Sequence, residues 1–568
     1  MLTRPFKLAS LLVLVNGSLL FLAGICVMLP ITTRPQAPAT HSITIDYSAE
    51  GRPLTPLWAY FGYDEPNYTY MKDGTKLLGE LAALSPVPVY VRCHNLLTSG
   101  DGTAALKWGS TNAYTEDANG RPVYDWHIVD SIFDTYVHRG MKPLAEIGFM
   151  PEALSTHPQP YRHHWRPGVK YDSIYTGWAW PARDYNKWEQ LVETWVRHCV
   201  QRYGEKEVST WLWEVWNEPN ISYWKGTRDQ YFQLYDFTAA AVKKALPAAR
   251  IGGPATTGPG GDKAADWLQA FLKHCETGSV PLDFISFHAK GSPRIVDGHV
   301  QMNMAPQLRD VARGMEIVMA SSYKDRPIYI TECDPEGCAA CGMATNPENA
   351  YRNGTMYSSY TAASFARLYE LADRYGANLA GATSWSFEFE DQKWFDGFRD
   401  LATNGIDKPV LNVFRMYGLM EGRRLPIAYD EEIPLDSLLR HSVHGDNVDV
   451  HALAAAAKNS LTVMVWNYHD ADQPGANATP ALIIKNIPAK KFRIQQFRID
   501  DEHSNAYEAW KKMGSPQQVT DAQYKILEKA GQLQEGPATK TLSLTDGRAL
   551  KIPLDLPRHS VSLFRLTW

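Results

Sequence analysis

From about residue 43 to 425, short apolar runs alternate with stretches in which apolar residues return every three or four positions. These are the two periodicities of strands and amphipathic helices. Trp188, Leu191, Val192, Trp195, Val196, Cys199, Val200 and Tyr203 recur at helical steps, and Gly204 stands where a helix stops, so Cys199 reads as a core residue. The same pattern predicts a helix from about Tyr231 to Leu246, ended by Pro247, and another through Phe365, Leu368, Tyr369 and Ala372 before Gly376. Strands are expected to end near Tyr63, His94, Phe149, Asn217, Pro254, His288, Glu332 and Phe387. Eight such alternations predict an α/β fold, a (β/α)8 TIM barrel over 43–425.

Past residue 425 the helical period fades and alternating strands take over, as in Leu461–Tyr468 and Ser560–Leu566. They predict an appended β-sandwich over 426–568 that shares the short strand from Ile43 to Tyr47. One interruption, Asp501–Trp510 followed by Met513-Gly-Ser-Pro516, reads either as a helix on the sandwich or as a loop reaching the barrel mouth. At the other end, Arg4 and Lys7 precede an apolar run from Leu8 to Leu29, broken only by Asn16-Gly-Ser18. A charged start and about 22 apolar residues suit an export signal or a membrane anchor. Residues 1–42 therefore read as that segment plus a Pro- and Thr-rich linker, with Ala37-Pro-Ala39 a candidate cleavage site. Both readings carry the remainder out of the cytoplasm, to the periplasm, the exterior or a membrane surface.

The bulk numbers narrow the partners. A chain of 568 residues exceeds one compact core. Its net charge of -5 and the lack of any basic run argue against nucleic acid. Eighteen Trp and 29 Tyr suit flat, half-polar ligands such as sugars. Cys333-x4-Cys338-x2-Cys341 is half of a metal pattern without a second pair, which leaves a loop disulfide or unpaired thiols. No metal or cofactor is expected, because no His-rich ligand set falls at the strand ends.

In a barrel of this kind, active groups gather where the strands end. That filter selects Arg92 and His94 on the second strand, Asn217 and Glu218 on the fourth, His288 and Lys290 on the sixth, Glu332 on the seventh and Trp385 on the eighth. Two carboxylates across a small gap equip a glycosidase, one as proton donor and one, ionised, as nucleophile. Glu218, expected above Trp213 and Trp216, suits the proton donor; Glu332, beside Arg92, suits the nucleophile. The bland readings stand alongside: a strand end that satisfies backbone groups for Asn217 and Glu218, a core imidazole for His288, barrel core for Trp385. Lys290 could form a structural ion pair with Asp64, Glu390 or Asp391. Glu214 reads as a supporting carboxylate, Tyr63 and Asp64 as pocket residues, and Glu336, Glu388 and Asp391 take no role.

Trp213-Glu-Val-Trp-Asn-Glu-Pro-Asn220, Ile330-Thr-Glu-Cys-Asp-Pro335 and Asp283-Phe-Ile-Ser-Phe-His288 together resemble glycoside hydrolase family 39, the retaining β-xylosidases and α-L-iduronidases. Arg498–Tyr507 and Trp510–Pro516 extend the resemblance from about residue 50 to the end. It implies Glu218 as acid/base, Glu332 as nucleophile, Asn217 on the sugar's 2-hydroxyl, Arg92 steadying Glu332 and Trp385 as a platform under the ring; His94, Lys290 and, from its expected nearness to Glu332, His288 complete the residues expected at the substrate, an oligo- or polysaccharide. His288-Ala-Lys-Gly291 and Arg92-Cys-His94 are similar to the iduronidase pattern, in which a lysine meets the sugar carboxylate. Glu146-Ile-Gly-Phe-Met-Pro151, Asn404-Gly-Ile-Asp-Lys-Pro409 and the export segment look more like bacterial xylosidases, and a β-xylosidase-like activity is the expectation. An α-L-iduronidase or another uronide or arabinoside hydrolase is the alternative, and a non-catalytic polysaccharide-binding protein is the alternative of another class.

Overall fold

A computed structural model of the chain describes residues 41–568 apart from 339, 386–387, 537–539 and 545–548. The apolar segment expected at Leu8–Leu29 lies outside the described residues, as does the expected strand end at Phe387. Among the described residues no helix is long and apolar enough to cross a membrane.

Eight parallel barrel strands appear in chain order: β1 (Tyr60–Tyr63), β2 (Tyr90–Cys93), β3 (Lys142–Ile147), β4 (Leu212–Val215), β5 (Arg250–Thr256), β6 (Phe284–Lys290), β7 (Ile328–Asp334) and a split β8 (Leu379–Ala382 and Ser384–Trp385). The split closes the sheet. Leu379–Ala382 pairs with β7, while Ser384 and Trp385 pair with Phe61 and Gly62 of β1, so the two edges meet through one interrupted strand. Gly62 is essential to that closure because a Cβ there would lie 2.3 Å from the Trp385 ring. The expected strand ends are met within two residues at β1 to β7.

The helices follow their apolar stripes. Tyr185–Tyr203 buries Trp188, Leu191, Val192, Trp195, Val196 and Cys199, capped at its start by the Asp184 carboxylate. Arg228–Ala245 begins a turn earlier than its apolar stripe suggests, because Thr227 and Gln230 form a capping box. Thr355–Tyr375 ends at Gly376 in the left-handed conformation.

The C-terminal region forms two sheets. Ser42–Asp46 joins the smaller one, parallel to Ala481–Lys485 and antiparallel to Ile427–Tyr429. In the larger sheet, Asp449–Ala457, Ser460–Tyr468, Lys491–Ile499 and Ser560–Thr567 pair antiparallel. Alternation along Ser460–Tyr468 sends Leu461, Val463 and Val465 into the core between the sheets, and Met464, Trp466 and Tyr468 into the barrel core. The Arg367–Asp449 ion pair, 2.8 Å long and buried, ties helix Thr355–Tyr375 to this sheet.

The interruption near residue 501 is a helix, Ala506–Lys512, followed by a second, Asp521–Gly531. It packs neither on the sandwich face nor as a loop at the mouth: Ala506, Trp510 and Leu527 enclose Phe395 and Ile406 of the excursion after β8. That excursion turns through Asn404-Gly405, both at positive φ, in a two-residue hairpin between Ala402–Thr403 and Ile406–Asp407.

Gly62→Ala should destabilise the fold by about 1 to 3 kcal/mol through overpacking against Trp385. Urea unfolding would measure it; an unchanged midpoint would mean that the indole has room to move.

Candidate active site

β4 stops at Val215 because the chain turns sharply: Trp216 and Glu218 both adopt positive φ, and the Glu218 amide donates to the Ala255 carbonyl at 2.8 Å. Such backbone conformations are costly for non-glycine residues and gather at functional sites. Here the turn places Asn217 and Glu218 at the mouth.

Arg92 of β2 lies at the centre of the floor, fully buried. Its Nε donates to Glu214 Oε2 at 2.6 Å, Nη1 to Glu332 Oε1 at 3.2 Å and Nη2 to Asn217 Oδ1 at 3.0 Å, with Glu146 Oε2 2.9 Å from Nη2. The supporting role expected for Glu214 is therefore met. Turning its oxygen to Arg92 leaves the Asn217 amide nitrogen as a donor for a ligand. Trp385 covers the guanidinium, whose carbon is 5.3 Å from the ring centre.

Glu332 is surrounded by nitrogen-bearing side chains. Lys290 Nζ stands 2.8 Å from Oε2, His94 Nε2 3.4 Å from Oε1, and His288 Nδ1 3.7 Å from Oε2. Burial alone would raise its pKa, but His288, Lys290, His94 and Arg92 together hold the carboxyl well below the usual range. His94 shows the reciprocal effect. Burial opposes its charge, yet the Glu146 carboxylate 2.6 Å from Nδ1 raises the imidazole to about 9, helped by Glu332.

Glu218 faces Glu332 through His288, whose Nδ1 is 2.9 Å from Glu218 Oε1. One oxygen from each carboxylate and one imidazole nitrogen all lie within 4.8 Å of one another. Glu218 is the more open of the two, 15% exposed at its side chain against 9% for Glu332.

A cavity of about 340 Å³ fronts this arrangement, lined by Asn217, Glu218, Glu332, His94, Lys290 and Trp385 together with Asp64, Lys107, Tyr171, Tyr175, Ile221 and Tyr223, and by Glu336 to Cys338 of the loop after β7. His288, after a register shift at Phe287, is fully buried and is not among the residues lining the cavity; its Nδ1 faces both carboxylates, 2.9 Å from Glu218 and 3.7 Å from Glu332. Three other expectations need correction. Trp213 is not beneath Glu218, because strand alternation points it outward against Trp195 and Trp211. Tyr63 also points outward, bonded to Thr69 and Tyr136. Lys290 pairs with Glu332 and Asp334, not with Asp64, Glu390 or Asp391.

Cys338 and Cys341 form a disulfide, which resolves the two alternatives for these cysteines, and Cys333 remains a buried thiol accepting from Gln307. Sequence reasoning missed Lys107, Tyr171, Tyr175 and Tyr223, which arrive from long loops. Glu146 was within reach, since it is a buried acid one residue before the end of β3.

The sequence profile described as Glycosyl hydrolases family 39 matches residues 41–543. The chain belongs to this family of glycosidases. A beta-xylosidase of Geobacillus stearothermophilus is 27% identical over 498 residues, 84% of this chain and 86% of that protein. An alpha-L-iduronidase of Mus musculus is 25% identical over 519 residues, 84% of this chain and 74% of that protein. The crystal structure of the family 39 enzyme from Xanthomonas axonopodis pv. citri shares the fold, with a TM-score of 0.72 at 22% identity over 95% of this chain and 99% of that one.

Among the described residues, the Glu218, His288 and Glu332 atoms have a spacing that a metal ion could use. Arg92 and Lys290, both in contact with Glu332, already supply positive charge there and would repel a second cation.

The shifts carry a pH signature. Because the fold raises His94 from 6.5 to about 9, its stabilising contribution is complete below about pH 6.5 and fades as pH rises through about 9. The stability difference between wild type and His94→Gln should narrow over that window in urea unfolding. Glu332, depressed instead, stabilises above its ordinary value near 4.5 and loses that contribution in acid. A difference for His94→Gln that stays constant from pH 6 to 10 would show that His94 is neutral in the fold.

Proposed function

We propose that the protein releases β-xylosyl units from oligo- or polysaccharides with retention of configuration, Glu218 serving as acid/base and Glu332 as nucleophile. The observation that carries this reading is the pairing of two carboxylates, one oxygen of each lying within 4.8 Å of the other, with the Glu332 carboxyl held well below its usual range by the nitrogen-bearing groups around it. Retaining enzymes keep their carboxyl groups about 5 to 5.5 Å apart, and inverting enzymes leave room for a water between them.

In the first step Glu218 gives its proton to the leaving oxygen while ionised Glu332 attacks the anomeric carbon, forming a glycosyl ester. In the second, Glu218 takes a proton from water as that water displaces Glu332 from the same carbon. The two inversions cancel. Arg92 keeps Glu332 ionised and aligned, the Asn217 amide nitrogen suits the 2-hydroxyl, and Trp385 offers an apolar platform for the ring. His94 contributes a charged wall beside the nucleophile. His288, between the carboxylates, orients Glu218 without reaching the sugar.

A neutral sugar fits Lys290 as it stands. Its ammonium is already engaged by Glu332 and Asp334, so a carboxylate at C5 would have to compete with both, whereas a xyloside carries only hydrogen there. The uronide reading rests on a specific observation too: Lys290 lines the cavity and keeps 22% of its side chain exposed. Wild type should cleave 4-nitrophenyl β-D-xyloside with retention by NMR, and Glu332→Ala should lose about 10³-fold or more. Glu218→Ala should lose far less with a dinitrophenyl leaving group, which needs no proton. Cleavage of α-L-iduronides alone, abolished selectively by Lys290→Met, would overturn the sugar assignment. No turnover of any glycoside would favour a binding protein.

The apolar run Leu8–Leu29 and the Cys338–Cys341 disulfide both support a location outside the cytoplasm, exported or anchored. Cell fractionation should find the protein there, and a stable cytoplasmic pool would count against it.

A further inference from the structure

Near the carboxylates, the cavity wall holds an ion pair that the double displacement does not use. Lys107 and Asp64 both line the cavity with side chains only 4% exposed, Nζ standing 2.8 Å from Asp64 Oδ2. Burial alone would raise the Asp64 carboxyl, but Lys107, His94 and Arg399 bring it down to about 2. Buried ion pairs contribute little net stability. A second layer nevertheless holds this one in place: Glu65 accepts the Lys107 backbone N–H at 2.7 Å and pairs with Arg399, which also lies 3.4 Å from Asp64.

The position fits a sugar ring. Glu332 is 3.4 Å from His94 Nε2, and that nitrogen is 3.5 Å from Asp64 Oδ1. The Lys107–Asp64 pair thus sits one imidazole away from the Glu332 carboxylate. Trp385 lies alongside, 4.7 Å from the His94 ring. A ring resting on Trp385 with its anomeric carbon at Glu332 would direct its far edge, carbons 3 and 4, toward the pair. Of such a pair the carboxylate accepts from one hydroxyl while the ammonium donates to its neighbour, and the ammonium has donors left beyond the one given to Asp64.

We propose that Lys107 and Asp64 form a clamp on the adjacent 3- and 4-hydroxyls of the sugar bound next to Glu332, so that the site takes terminal sugar units with both hydroxyls free. The inference rests on the glycosidase reading above but not on the identity of the sugar. Arg399 and Glu65 are positioning residues that act through the pair.

The test compares wild type, Lys107→Met and Lys107→Arg on whichever of the β-D-xyloside and the α-L-iduronide the wild type cleaves, and on its 3-deoxy and 4-deoxy analogues. Lys107→Arg keeps a cation for Asp64 should the Met variant fold poorly, and thermal unfolding is followed for each. With the clamp in place, both variants lose about 10- to 100-fold in kcat/KM on the parent glycoside, and the loss shrinks to a few-fold on at least one deoxy analogue. An equal loss on parent and both analogues makes the pair structural and overturns the proposal, as does an unchanged kcat/KM on the parent. A wrong choice between xylose and iduronic acid would alter which parent is used and leave this comparison intact.

Discussion

A single guanidinium organises the site. Burying Arg92 without partners would be prohibitive, and each carboxylate around it would be equally costly alone. Together they form a set in which every member needs the others: Glu214 and Glu146 hold Arg92, Arg92 holds Glu332 and Asn217, and Glu146 charges His94. Because these groups stand on β2, β3, β4 and β7, the network also fixes how strands distant in sequence face one another across the barrel. Precision at Glu332 is a by-product of satisfying a buried charge.

The same logic separates the two catalytic candidates. Glu332 meets four nitrogen-bearing partners and must ionise, whereas Glu218, delivered by a strained turn, meets one imidazole and the cavity. Positive φ at Trp216 and Glu218 breaks strand alternation at the point where the chain leaves β4, which is how an acid reaches the mouth from a strand whose last residues are otherwise core.

Much of this was legible in the sequence for a physical reason. Barrel strands end where polar residues replace an apolar run, so Arg92, Asn217, Glu218, Lys290, Glu332 and Trp385 could be gathered without coordinates, and helix stripes such as Trp188 to Cys199 speak for themselves. Side-chain direction past the last regular residue could not be read that way. His288 follows a bulge in register, and Trp213 obeys alternation that a glance at Trp-Glu-Val-Trp does not assign to a face. Lys107 lies in the loop between β2 and β3 and Arg399 in the excursion after β8, and neither carries a periodic signal. Their meeting at Asp64 is set by tertiary packing, including the helices Ala506–Lys512 and Asp521–Gly531 that hold the excursion in place.

Strand Ser460–Tyr468 is buried on both faces, with one set of side chains in the sandwich and the other in the barrel. An accessory sheet of this kind is not a portable module. Cutting it away would strip Met464, Trp466 and Tyr468 from the barrel's own core, so the two parts can diverge only in concert, and a lineage could not exchange this sandwich for another without rebuilding the barrel.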